Sequence, residues 1–169
     1  GAFGGTLHSC HVTENESRGY AGGVSGCTVY SSLITSNNCN AYEGGGAANS
    51  VLHRCVLSGN HARDNGGGAY HCTLRSCLIR DNMSDDSGGG AHGSELFNCT
   101  VTENWARMRG GGTRMCHLDS CIVWDNSVNG ETSNCSGGSI ARSCMRPIEP
   151  GVGNVDAEPR FAGPNDFRL

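Results

Sequence analysis

Three acidic side chains recur at one position of a repeated pattern, and they are the first candidates for chemistry. Asp81, Glu103 and Asp125 follow one another at intervals of 22 residues. Arg80 and Trp124 stand directly before two of them. If each interval is one turn of a stacked repeat, neighbouring carboxylates lie about 5 Å apart. Such a spacing suits Ca²⁺ binding or acid–base work on a glycoside, and an indole can stack on a sugar. These five residues form the candidate ligand face, although solvated turn residues are the simpler interpretation.

Eleven cysteines are the second candidates, and most of them follow the same repeat. One column holds Cys10, Cys55, Cys77, Cys99, Cys121 and Cys144. A second column, five residues earlier, holds Cys27, Cys72 and Cys116, alternating with Ser50 and Ser94. Four interpretations are open: buried reduced thiols, disulfides, a metal site or a catalytic thiol. The absence of a CxxC motif disfavours metal, and the odd total leaves at least one cysteine without an intramolecular partner.

The repeat itself becomes clear when the chain is aligned on the first cysteine column, with Ser32 in the second position. Three residues before it stands an aliphatic column: Leu7, Val29, Leu52, Leu74, Leu96 and Leu118. Two residues after it stands another: Val12, Ile34, Leu57, Ile79, Val101 and Val123. This spacing does not follow a helical period and instead predicts short strands separated by turns. A leucine-rich repeat is disfavoured, because the helix-forming half of such a repeat is missing.

Asparagine and glycine mark the turns between these strands. Five residues after the anchor comes an asparagine column: Asn15, Asn37, Asn60, Asn82, Asn104 and Asn126. Asparagine tolerates turn geometry, and stacked amides can hydrogen-bond along a column. A glycine triplet, such as Gly66 to Gly68, marks a corner that requires positive φ or close backbone approach.

The pattern predicts an all-β protein with the fold of a right-handed parallel β-helix. About seven coils of 22–23 residues occupy residues 1–155, and residues 156–169 form a closing segment. Each coil buries a narrow apolar face on its neighbours, which suits a chain that is only 36% hydrophobic.

Composition restricts the partners. The formal charge is −4 and lysine does not occur, so a nucleic-acid surface is not expected. No apolar run is long enough to cross a bilayer. No cofactor is expected, with Ca²⁺ considered only at the carboxylates. The first residues belong to the middle of a repeat, which suggests a piece of a longer or processed protein.

The phrase GGGA-(x)4-L-x-x-C-x-I-x-x-N resembles the right-handed β-helix repeats of bacterial secreted and surface proteins in the pectate-lyase-like superfamily. That superfamily includes polysaccharide lyases, autotransporter passenger domains and polymorphic outer-membrane proteins. The resemblance covers residues 1–126 closely and 129–155 loosely. Residues 154–169 resemble the tail that closes such helices, with Glu158 where aspartate usually precedes proline. The resemblance implies a secreted or cell-surface location.

Two functions remain open, and a third is weaker. The regular coil length and the lack of long inserted loops favour a non-enzymatic surface rod, adhesive or self-associating end to end into a filament. The alternative is a protein that binds or degrades polysaccharide through the candidate ligand face. An ice-binding face of regular threonines is disfavoured, because Arg80 and Trp124 interrupt the column that Thr13 and Thr35 begin.

Overall fold

The computed structural model describes residues 1–161 and 163, and within these residues the chain forms strands and no helix. The strands stack in parallel into a β-helix of about seven turns, which confirms the predicted fold. A typical coil contains four short strands joined by tight corners. Three sheets run along the rod, and we name them A, B and C.

Sheet A contains the first two strands of each coil. The two-residue strands are Ala2–Phe3, Val24–Ser25, Ala47–Ala48, Ala69–Tyr70 and Ala91–His92. The three-residue strands are Thr6–His8, Thr28–Tyr30, Val51–His53, Thr73–Arg75 and Glu95–Phe97. In the last two coils both parts merge into the seven-residue strands Thr113–Asp119 and Cys135–Ala141.

Sheets B and C contain the remaining strands. Sheet B comprises His11–Thr13, Leu33–Thr35, Val56–Ser58, Leu78–Arg80, Thr100–Thr102, Ile122–Trp124 and Cys144–Met145. Sheet C comprises Glu16–Ser17, Asn38–Cys39, His61–Ala62, Met83–Ser84, Trp105–Ala106, Ser127–Val128 and Glu131–Thr132. Among the described strands, only Glu131–Thr132 pairs antiparallel, with Ser127–Val128.

The strand register places like residues on like residues and builds a columnar core. Leu52 pairs with Val29 on one side and Leu74 on the other, and Leu57 pairs with Ile34 and Ile79. All six are fully buried. Because each strand alternates inward and outward residues, a single aliphatic side chain per strand is enough to fill the interior.

Three corners of each coil follow one rule. A residue with positive φ, such as His71, Ser76 or Asp81, is followed by a residue whose side chain turns inward, such as Cys72, Cys77 or Asn82. The backbone N–H of that second residue does not find a strand partner. It donates instead to the side chain of the equivalent residue in the next coil, a serine, cysteine or asparagine.

The asparagine column shows the rule most fully. The Asn82 Oδ1 atom accepts the Asn60 backbone N–H at 3.0 Å and the Asn60 side-chain amide at 2.9 Å. The Asn82 amide donates to the Leu57 carbonyl and to Asn104 Oδ1, both at 3.0 Å. Asn15, Asn37, Asn104 and Asn126 join the same chain of bonds. The column thus satisfies buried polar groups that would otherwise be costly.

Close approach explains the glycine triplet. A Cβ atom on Gly67 would lie 2.2 Å from the Met83 carbonyl oxygen and 2.5 Å from that of Gly89. Gly66 has a φ of +71°, a conformation that L side chains rarely adopt. The corner between sheets C and A therefore admits only glycine at its centre.

The last coil departs from the predicted register. Cys144 pairs with Ile122, one position beyond the corner, and its place in the cysteine column is taken by Ser143, whose Oγ accepts the Cys121 N–H at 3.0 Å. The prediction that Cys144 belongs to the cysteine column is therefore wrong. Its neighbour Met145 instead extends the buried aliphatic column.

A hairpin over residues 127–132 replaces the usual glycine corner. Asn134 follows it and accepts from Asn126, eight residues earlier, so it ends the asparagine column. Asn154 Oδ1 accepts the Ser143 N–H at 3.0 Å, and Val155 bonds to Ser143 and Met145. Residues 150–155 thus cover the last coil. Of the predicted closing segment 156–169, residues 162 and 164–169 lie outside the described residues.

Replacing Asn82 with alanine should lower the free energy of unfolding by about 3 kcal/mol, because the buried Asn60 N–H loses its acceptor and four hydrogen bonds disappear. Chemical denaturation of the variant measures this loss. Asn15→Ala is the matched control, since Asn15 is partly exposed and its Oδ1 atom accepts no hydrogen bond from another asparagine. This variant should lose about 1 kcal/mol of unfolding free energy. Equal losses at both positions would contradict the column's role.

Candidate functional site

The predicted carboxylates lie where sheet B turns into sheet C. Asp81, Glu103 and Asp125 each take the positive-φ corner position, with φ of 53°, 57° and 52°. We call them the carboxylate column. Because this position precedes every asparagine of the column, its first role is to turn the chain. Glu14, Ser36 and Gly59 fill it in the first three coils.

The carboxylate column forms an electrostatic group as well as a corner. The Arg80 guanidinium donates to Asp81 Oδ2 at 2.5 Å. Burial and the charges of Asp81 and Asp125 raise the pKa of Glu103, and Arg80 opposes that shift. Within residues 1–161 and 163, no three His, Cys, Asp or Glu side chains are grouped to hold a metal ion. Calcium binding at this column stays a prediction.

Two of the five ligand-face residues line a groove near the last coil. Trp124 and Asp125 form it together with Thr132, Asn134, Arg146, Pro147 and Glu158, and its volume is about 440 Å³. We call it the end groove. The Arg146 guanidinium lies 5.5 Å from the centroid of the Trp124 ring, within reach of a cation–π contact. Arg146 Nε also donates to Asp156 Oδ1 at 2.7 Å. An indole, a cation and carboxylates therefore meet at one opening.

Arg146 was not among the predicted site residues. With Ser143 as the last corner residue, Arg146 falls three positions after it, the same column as Arg80 and Trp124. A prediction aligned on Cys144 placed Arg146 one position too early. The signal that could have corrected it was Ile140, three residues before Ser143, which continues the leucine column onto Leu118.

The cysteines are corner residues with a hydrogen-bonding role. All eleven are free thiols in the structure. The Cys77 Sγ atom accepts the Cys55 N–H at 3.4 Å and lies 3.4 Å from the Arg75 carbonyl oxygen. Ser32 and Ser143, which stand on either side of Cys55 to Cys121 in this column, use their hydroxyl groups in the same way. Serine and cysteine alternate here because both place one polar atom beyond Cβ.

Burial keeps the thiols of the second cysteine column protonated. Desolvation raises the pKa values of Cys72 and Cys116 to about 12, so neither is a nucleophile at neutral pH. The two cysteines that followed no column in the sequence lie on strands rather than at corners. Cys39 pairs with Ala62 in sheet C and is fully buried, and Cys135 pairs with Thr113 in sheet A.

A stripe of rings on the outer side of sheet A was missed by the sequence interpretation. The Tyr30 ring stacks between His8 and His53 at centroid distances of 4.7 and 4.9 Å. Arg75 continues the stripe and lies 4.3 Å from the centroid of the Phe97 ring. These residues stand two positions before the anchor, and their shared position was the available signal.

Comparison with protein-family models, with curated proteins and with solved structures finds no match to this chain. None of the described segments is a helix that is long and apolar enough to cross a membrane. The site must therefore be interpreted from its own geometry.

Glu103→Gln should remove a pH dependence of stability. Because its pKa is raised in the folded protein, the stability that protonated Glu103 contributes is present below pH 4.5 and is lost as pH rises through the raised pKa. Above the raised pKa of Glu103, the glutamine variant should be as stable as the parent or slightly more stable. Thermal unfolding of both proteins between pH 4 and 7 measures the difference. Glu95→Gln, on the outer side of sheet A, is the control; the same pH profile for both variants would contradict coupling in the carboxylate column.

Proposed function

We propose that this chain is part of a non-enzymatic extracellular or cell-surface rod. The proposal rests on one observation: the repeated polar residues hold adjacent coils together or form the corners of the coils. At the three corners, the serine, cysteine and asparagine side chains bond the backbone of adjacent coils. The carboxylate column takes positions that the corner geometry requires. Selection for stacking accounts for the repeated pattern without a reaction.

The chemistry of the carboxylate column also favours a structural role. Asp81 is neutralised by Arg80, and the three carboxylates follow the pitch of the coils rather than facing each other across a cleft. Glycoside hydrolysis needs two carboxyl groups on opposite sides of one bond. A secreted location follows from the resemblance to bacterial β-helix repeats and remains part of the proposal, as does end-to-end association of rods.

The end groove supports a second candidate, the binding of a polysaccharide. Trp124 offers a ring for sugar stacking, and Arg146 offers a donor for hydroxyl or carboxylate groups. Asp125 and Glu158 complete a polar rim. Such a groove would make the rod adhesive rather than catalytic.

One experiment separates a non-enzymatic rod from an enzyme that degrades polysaccharide. The protein is incubated with neutral and acidic polysaccharides, and both binding and the release of new chain ends are measured. A rod releases no new chain ends, either as the parent or as the triple variant Asp81→Asn, Glu103→Gln, Asp125→Asn. Cleavage that the triple variant abolishes would show an enzyme and overturn the proposal.

Binding is tested with a matched pair of tryptophan variants. Trp124→Ala should weaken polysaccharide binding about tenfold if the end groove is adhesive, whereas Trp105→Ala, on sheet C and not among the residues that line the groove, should not change it. Equal affinity of both variants and the parent would exclude the groove and leave the plain rod.

A further inference from the structure

Four neighbouring corners of the rod carry thiols that lie directly above one another. Cys55, Cys77, Cys99 and Cys121 occupy successive coils, and we call them the thiol column. Each is at most 3% exposed. Ser32 and Ser143 bound the column at its two ends. The column therefore contains an even number of thiols and no other residue between them.

We propose that the thiol column is a site of oxidative modification, at which a hydroperoxide converts two pairs of stacked thiols into the inter-coil disulfides Cys55–Cys77 and Cys99–Cys121. Each disulfide would close a loop of one coil and covalently link adjacent turns. The proposal goes beyond the rod function and does not depend on any ligand of the end groove.

Coil spacing allows this bond. Parallel strands are about 4.8 Å apart, which lies within the Cα separation of 4.4–6.8 Å or so that disulfides require. The sulfur atoms are already in contact with the neighbouring coil, since Cys77 Sγ accepts from the Cys55 N–H and Cys99 Sγ accepts from the Cys77 N–H, both at 3.4 Å.

The other buried cysteine column is arranged so that its thiols cannot pair. Ser50 separates Cys27 from Cys72, and Ser94 separates Cys72 from Cys116. Within a coil, strand Thr73–Arg75 separates Cys72 from Cys77. At about 3.3 Å per residue their Cα atoms are more than roughly 10 Å apart, beyond the reach of a disulfide. Only the thiol column therefore brings cysteines into adjacent positions.

The number of thiols in the column favours one pairing. Each thiol can form one disulfide, and Cys77 and Cys99 each have a thiol in both neighbouring coils. A Cys77–Cys99 disulfide would leave Cys55 and Cys121 unpaired, because Ser32 and Ser143 occupy the next positions. The disulfides Cys55–Cys77 and Cys99–Cys121 together use all four thiols.

The reaction is balanced in two steps. The thiol of Cys77 and one hydroperoxide molecule give a sulfenic acid and water, or an alcohol from an alkyl hydroperoxide. The Cys55 sulfur then attacks the Cys77 sulfur, and the hydroxyl group leaves as water with the Cys55 proton. Cys121 and Cys99 react in the same way, so that two equivalents of hydroperoxide consume four thiols.

Two double variants with the same composition test the proposal. Cys99→Ser with Cys121→Ser keeps the adjacent thiols Cys55 and Cys77. Cys77→Ser with Cys121→Ser keeps Cys55 and Cys99, which are two coils apart. Both substitutions copy residues that already occupy this column at Ser32 and Ser143, so both variants should fold, and circular dichroism checks that they do.

Hydrogen peroxide is added to each variant, and tryptic peptides are analysed by mass spectrometry. Residues 55–63 and 76–80 form separate tryptic peptides with one cysteine each. We expect them to be cross-linked only in the variant with adjacent thiols, together with a rise of about 5 °C in its unfolding midpoint. The other variant should show neither change. No cross-link in the first variant, or the same midpoint shift in both, would overturn the proposal.

Discussion

The structure depends on one hydrogen bond that is repeated at three of the four corners of a typical coil. At these corners one backbone N–H has no strand partner, and an inward side chain of the next coil accepts it. Ser50 accepts from Cys27, Cys77 from Cys55 and Asn82 from Asn60. Without these acceptors each coil would bury three unsatisfied donors, at about 1–3 kcal/mol each. This cost explains why serine, cysteine and asparagine occupy the inward corner positions of the inner coils, whereas glycine takes the first of these positions in the two end coils, at Gly5 and Gly138.

The same bond constrains the chemistry of the surface. The inward acceptor must follow a residue with positive φ, and that residue points outward at the corner. Asp81, Glu103 and Asp125 stand at this position, so their regular spacing reflects the coil pitch. Burial, and then the charges of Asp81 and Asp125, raise the pKa of Glu103, and both are consequences of stacking. Surface features that the pitch does not require, such as the end groove, are therefore better candidates for recognition.

Much of the fold could be predicted from the sequence because one residue type per column is enough to reveal a coil. The leucine, isoleucine and asparagine columns identified the strands and corners of six coils. The last coil was misaligned because cysteine identity was followed rather than corner chemistry. Ser143 satisfies the Cys121 N–H as well as a thiol would, and the hairpin at 127–132 shortens the path to the next asparagine. The end groove could not be predicted, since it forms where residues 146 and 158 approach Trp124.

Hydrogen exchange at the corner amides tests the central claim most directly. If the side chains of the next coil accept these N–H groups, the amides of Cys55, Asn60 and Asn82 should exchange as slowly as those of the adjoining strand residues Leu57 and Ile79. Amide-resolved exchange by nuclear magnetic resonance gives the rates. Fast exchange at the three corner amides, with slow exchange in the strands, would contradict the account.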